Sequence, residues 1–145
     1  MAFGYVTYKN FAPVNQIASN LTNSEGCGLR ITAEGRVALC TTQSHIPYAI
    51  LAVGADSITP GTYPSAPVAG SLEIIDQLGV AVQARASSAG AIAAGDFIQI
   101  DATDANGSFL ADNTPTSTTY VWGMALTGAA AGEQFIMRFA PYKAA

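Results

Sequence analysis

Between Ala93 and Phe139 the chain alternates apolar and polar residues in three separate runs, and this period constrains the fold more than any other feature. In Phe97–Asp101 the period puts Ile98 and Ile100 on one face; in Tyr120–Leu126 it puts Tyr120, Trp122, Met124 and Leu126 together; in Gln134–Ala140 it groups Phe135, Met137 and Phe139. A side-chain period of two belongs to a half-buried β-strand, because successive Cβ atoms point to opposite sides of a pleated chain. The intervening pieces are turn chemistry: Asp104-Ala-Asn106-Gly107, Asp112-Asn-Thr-Pro115 and Gly128-Ala-Ala-Ala-Gly132-Glu133. The spacing predicts an all-β fold, a small antiparallel sandwich or barrel. On its face Trp122 is expected in the core, with Met124 and Leu126 as its strand-mates.

The upstream chain carries the same signal. Leu29, Ile31 and Ala33 alternate with polar residues, Glu34-Gly35 reads as a tight turn, and Val37, Leu39 and Thr41 return, which predicts a hairpin. Tyr48–Val53 is continuously apolar, as for a strand covered on both faces. Ser71–Asp76 reads as a short strand, and Leu78, Val80, Val82, Ala84 and Ala86 as a longer one; Ser87–Ala94 fits either a loop or one helical turn. Ser57–Ala69, with Pro60, Pro64 and Pro67, is a stiff loop poor in backbone donors.

Residues 1–24 read as an arm or strap preceding a single β-rich domain over 25–145. Phe3, Tyr5, Tyr8 and Phe11 space aromatics through the first segment. Pro13 then precedes Val14, Ile17, Ala18 and Leu21 at a spacing that suits two turns of amphipathic helix. The segment would lay its aromatics either on a neighbouring subunit or on its own domain.

The two halves share a pattern. Leu29–Cys40 matches Ile98–Ala111 as strand, glycine turn, strand; Tyr48–Ala55 matches Trp122–Ala129; and Ala69-Gly70 corresponds to Ala131-Gly132, each before another strand. The strands after Gly70 and Gly132 differ in apolar phase by one residue. A duplicated β-unit would produce this, as would hairpins of independent origin.

Composition bears on partners. Only 11% of the residues are charged while 50% are hydrophobic, with a net charge of −4. That charge content is well below the usual quarter or so for a soluble domain, which favours a surface partly hidden by other protein, as in an oligomer or a structural subunit. The six basic residues are scattered singly (Lys9, Arg30, Arg36, Arg85, Arg138, Lys143), which argues against backbone binding to nucleic acid and against anionic membranes. No signal peptide is expected from Met1–Asn10, which lacks a basic start and an apolar stretch.

Catalytic and metal readings fare poorly. In an EF-hand register with Gly107 at the sixth position, Ala102 and Asn113 fall where carboxylates are required, so Asp101, Asp104 and Asp112 read as turn residues. His45 with Cys27 or Cys40 lacks a spaced carboxylate to orient the ring. The two cysteines are expected as free thiols, although a bridge across paired strands is geometrically allowed. No catalytic residue and no cofactor is expected.

Several short motifs carry a resemblance: Ala93-Ala-Gly-Asp-Phe-Ile-Gln-Ile-Asp101, the turn at Gly107, Gly123-Met-Ala-Leu126, Ala130-Ala-Gly-Glu133 before a last strand, and Gly79-Val-Ala-Val-Gln-Ala84 upstream. In them the chain resembles the capsid decoration, or cement, proteins of tailed phages. The resemblance covers about the C-terminal half; the proline-rich Ser57–Ala69 segment departs from it. It implies a β-rich protein made in the host cytoplasm that binds the outside of an assembled capsid, often as a homotrimer, and clamps the major capsid protein. The candidate docking residues are Phe3, Tyr5, Tyr8 and Phe11 in the arm and Pro60, Tyr63, Pro64 and Pro67 in the loop. The alternative is a head-fibre or tail adhesin domain that binds glycans.

Overall fold

A computed structural model describes residues 10–13, 21, 24–52, 71–116 and 119–145. The described residues form ten strands and no helix: β1 Asn10–Pro13, β2 Gly28–Ile31, β3 Val37–Leu39, β4 Ala49–Leu51, β5 Ser71–Ile75, β6 Ala81–Arg85, β7 Phe97–Ile100, β8 Phe109–Ala111, β9 Tyr120–Ala125 and β10 Gln134–Lys143. All pair antiparallel, in two five-stranded sheets ordered β1-β5-β4-β2-β3 and β6-β10-β9-β7-β8. The second sheet curls until its edge strands touch, at the bridge between Ala86 and Phe109. The chain is thus an all-β sandwich with one sheet drawn toward a barrel.

Adding five to each strand number of the first sheet reproduces the order of the second. The registers agree as well. Gly28 and Leu29 face Ile50 and Ala49 as Phe97 and Ile98 face Met124 and Gly123. Ile74 lies between Asn10 and Leu51 as Met137 lies between Val82 and Ala125. Ile74 stands four residues after Gly70, whereas Met137 stands five after Gly132. One extra loop residue therefore accounts for the phase mismatch between the halves.

The repeats are not packed face to face as mirror partners. Leu29, Val37, Leu51 and Ile74 form one buried cluster with Leu21 and Ala49. Their counterparts Ile98, Phe109, Ala125 and Met137 lie in the other cluster, which Cys40, Ile50, Ala52 and Ile75 join from the opposite face of the first sheet. The first sheet is therefore apolar on both sides, and β4 shows why Tyr48–Val53 is unbroken: Ala49 and Leu51 point one way and Ile50 and Ala52 the other, all four fully buried. Backbone bonds join the sheets, from the Arg85 N–H to the Gly26 carbonyl and from the Gly28 N–H to the Gly107 carbonyl.

Most strands lie where the alternation places them, with three corrections. Met124 and Leu126 are not core partners of Trp122 but are 40% and 39% exposed. Trp122 and Ala125, three residues apart, both reach the core; the alternation slips at Gly123. Opposite it β10 carries one extra residue between Phe139 and Tyr142, a bulge that accommodates Pro141. Leu78 is in a turn before β6 and exposed, and Ile31, at the end of β2, is 46% exposed where the hairpin outruns its cover. The hairpin itself turns as read, with Gly35 at φ 77°. Ser87–Ala94 contains turns and a bridge from Ile92 to Ala129 rather than a helix. The helix expected from Val14 falls outside the described residues; Leu21 is buried against the chain's own first sheet, and Pro13 ends β1.

Candidate functional site

The most elaborate polar arrangement is built by the loop after β6 and the β7–β8 turn. Asp101 is 1% exposed and Ser87 fully buried. The Ser87 hydroxyl lies between two carboxylates, against Asp101 Oδ2 and 3.0 Å from Asp104 Oδ2. Asp101 Oδ1 accepts from the Thr103 N–H at 2.9 Å and the Thr103 hydroxyl at 2.5 Å. Asp104 in turn accepts from the Ser88 hydroxyl at 2.9 Å and from the Ser88 N–H at 3.2 Å. Burial pushes the Asp101 carboxyl up, but hydrogen bonds from Ser87 and Thr103 and from the Thr103 and Asp104 backbone outweigh it and hold the group below the usual carboxylate range.

This network is a lock on the β7–β8 turn. A depressed folded pKa stabilises the protein above the unfolded value of about 4, and that stability is lost as pH falls through the folded value. Thermal melts of wild type and Asp101→Asn from neutral pH into acid should therefore converge as pH falls below the unfolded value. A wild type no steeper in acid than the variant would contradict the lock.

The same atoms are spent as far as a cation is concerned. Asp112 points to its own turn, accepting from the Thr114 N–H at 2.9 Å. Among the described residues no group of three or more His, Cys, Asp or Glu side chains is placed to hold a metal ion.

The two thiols are free and buried. Burial pushes Cys27 up to about 11, with the Arg85 charge opposing, and Cys40 up to about 12, with Arg30 opposing. His45 Nδ1 accepts from the Thr41 N–H at 3.1 Å, and burial, then Arg30, lowers its pKa. A thiol held protonated at neutral pH is a poor nucleophile. Native protein mixed with a thiol-reactive disulfide reagent should show no fast-reacting cysteine, and two after unfolding; a fast native reaction would mean that one thiol is accessible.

Of the residues expected to bind a partner, Phe3, Tyr5, Tyr8, Pro60, Tyr63, Pro64 and Pro67 lie outside the described residues. Phe11 belongs to β1, its backbone opposite Glu73. What the structure adds is a set of exposed apolar side chains. Ile31, 46% exposed, ends β2, and Ile46, 68% exposed, lies in the loop before β4; Met124 is in β9 of the second sheet with Leu126 just after it, and Tyr142 in β10 is 47% exposed. Sequence reading missed Met124 and Leu126 as surface residues because it carried the alternation through Gly123. The glycine in mid-strand was the available signal.

The chain matches no protein-family model, and no curated protein sequence matches it. The resemblance to phage decoration proteins therefore rests on the residues quoted for it.

Proposed function

We propose that the chain is a structural virion protein that binds the outer surface of an assembled phage capsid and stabilises it by clamping neighbouring coat subunits. The observation that carries this reading is the placement of exposed apolar residues beside both sheets, Ile31 at the end of β2 with Ile46 in the loop before β4, and Met124 in β9 with Leu126 just after it. A clamp has to touch more than one neighbour, and a lightly charged domain with apolar contacts on separate surfaces suits that task. Its action would be mass-action linkage: binding the assembled shell and not its free subunits raises the shell's stability.

The test is to mix the purified chain with empty shells of the coat protein from the same genome. Co-sedimentation together with a raised melting temperature of the shells is the expected result; a chain left in the supernatant at micromolar concentration would sink the proposal. The glycan-binding alternative draws less support from the core, since Trp122, the chain's single tryptophan, is fully buried.

A further inference from the structure

Four of the six large apolar side chains exposed among the described residues gather at one end of the molecule: Ile31, Ile46, Leu78 and Tyr142. Strand pairing places them there. In the first sheet β5, β4 and β2 are neighbours, and β4 runs antiparallel to both. The start of β4 therefore lies beside the ends of β2 and β5. Ile31 ends β2, Ile46 precedes the first residue of β4 by three, and Leu78 follows the last residue of β5 by three. Neighbouring strands are about 4.8 Å apart, so these three strand ends span about 10 Å. Leu78 also leads into β6, where the Gly79 N–H donates to the Phe139 carbonyl of β10. Tyr142 stands three residues further along β10, past that bond and so toward the same end.

Charge divides along the same axis. Arg30 precedes Ile31, Arg36 lies in the hairpin turn after it, and Lys143 follows Tyr142. The Arg138 Nη1 donates at 2.8 Å to the carbonyl of Gly79, next to Leu78. Against these four bases the described acids of this end are two, Glu34 and Asp76. The other acids lie away from it. Asp101 and Asp104 belong to the β7–β8 turn, whose Gly107 carbonyl accepts from the Gly28 N–H at the opposite end of β2. Asp96, Asp112 and Glu133 border β7, β8 and β10 at the end of the second sheet remote from Tyr142. A chain of net charge −4 thus has one end where positive charge exceeds negative, and the exposed apolar residues gather at that end.

We infer, resting on the capsid reading above, that this end is the one that meets the shell, and that it docks on an apolar, acidic patch of the coat protein. Exposed apolar side chains gathered at neighbouring strand ends mark a contact surface. Positive charge around them attracts a partner of opposite sign and repels a basic one. The acidic remainder of the chain then faces away from the shell, and like charge disfavours the inverted orientation.

The test is co-sedimentation of the full chain and its variants with empty shells of the coat protein from the same genome. Leu78→Asp and Lys143→Glu, both at exposed positions, should each weaken binding about tenfold or more. Ala130→Asp puts the same negative charge in the exposed loop between β9 and β10, at the far end of the second sheet; it should bind within about twofold of wild type. Wild-type binding should also fall as salt rises from about 0.05 M to about 0.5 M, because screening shortens the reach of the charges. Far-UV circular dichroism checks that each variant folds. A wild type that stays in the supernatant would overturn the capsid reading and this orientation with it. If wild type binds, then a folded Leu78→Asp or Lys143→Glu protein that binds as tightly would overturn the orientation alone. Binding indifferent to salt, or a loss with Ala130→Asp as large as with Leu78→Asp, would do the same.

Discussion

Gly123→Ala is expected to leave little or no folded protein. A Cβ built on Gly123 would stand 1.8 Å from the carbonyl oxygen of Arg138 and 3.2 Å from Met137 Cγ. The oxygen belongs to the backbone of β10, so no rotamer change relieves the overlap. Strand β9 would have to draw away from β10 by more than 1 Å, and this pairing runs through the middle of the second sheet, with Met137, Phe139 and Trp122 around it. Losing it costs several kcal/mol, on the order of the whole stability of a domain of this size, about 5–15 kcal/mol. Gly35→Ala is the comparison. Gly35 also has a positive φ, 77°, but nothing lies within 4 Å of its added Cβ, so the cost there is the backbone preference alone, about 1 kcal/mol. Denaturant unfolding followed by far-UV circular dichroism separates the two. A Gly123→Ala protein no less stable than Gly35→Ala would show that the strands are not held this close.

Trp122→Ala is expected to cost about 3–5 kcal/mol, the usual range for removing a large aromatic from a core. The ring is fully buried. It meets Phe109 edge-on with centroids 5.3 Å apart and leans on Phe139 at 6.1 Å. From the other sheet Gly28 comes so close that a Cβ there would stand 2.8 Å from the indole. The first sheet thus has a glycine where the indole needs room, and truncating the indole empties the contact between the sheets. Trp122→Phe should cost clearly less. It keeps most of the ring and removes the indole N–H, which is buried without an acceptor. Trp122 is the chain's single tryptophan, so its fluorescence reports native core packing in the wild type, while circular dichroism follows the variants. An alanine variant within about 1 kcal/mol of wild type would move Trp122 from the core to the surface.

Local pattern carried much of the fold. Alternation located the cores of β7, β9 and β10, and Glu34-Gly35 located the first hairpin. The unbroken Tyr48–Val53 run foretold a strand covered on both sides. The internal match between Leu29–Cys40 and Ile98–Ala111 announced a strand order that the two sheets share. These features depend on the side-chain period and on turn backbone angles, which neighbouring residues set by themselves.

The functional surface was much less legible. The residues first proposed for docking fall, except for Phe11, outside the described part of the chain. Met124, which the alternation grouped with Trp122 in the core, is instead turned out to solvent. The bonds that close the Asp101 network, from Ser87 to Asp101 and from Ser88 to Asp104, join residues 14 and 16 positions apart, beyond the reach of any local motif.

The sequence by itself determined the strands, their turns and the repeat, because those follow from contacts between residues near in the chain. Only the tertiary structure decided which face of each repeat turns inward. Leu29 and Ile98 occupy the same place in the repeat, yet one packs toward Leu21 and the other between the sheets. A period of two fixes which residues share a face, but not what will cover it. That choice was made by Gly28 yielding room to Trp122, and by the slip at Gly123 that turned Met124 out to solvent.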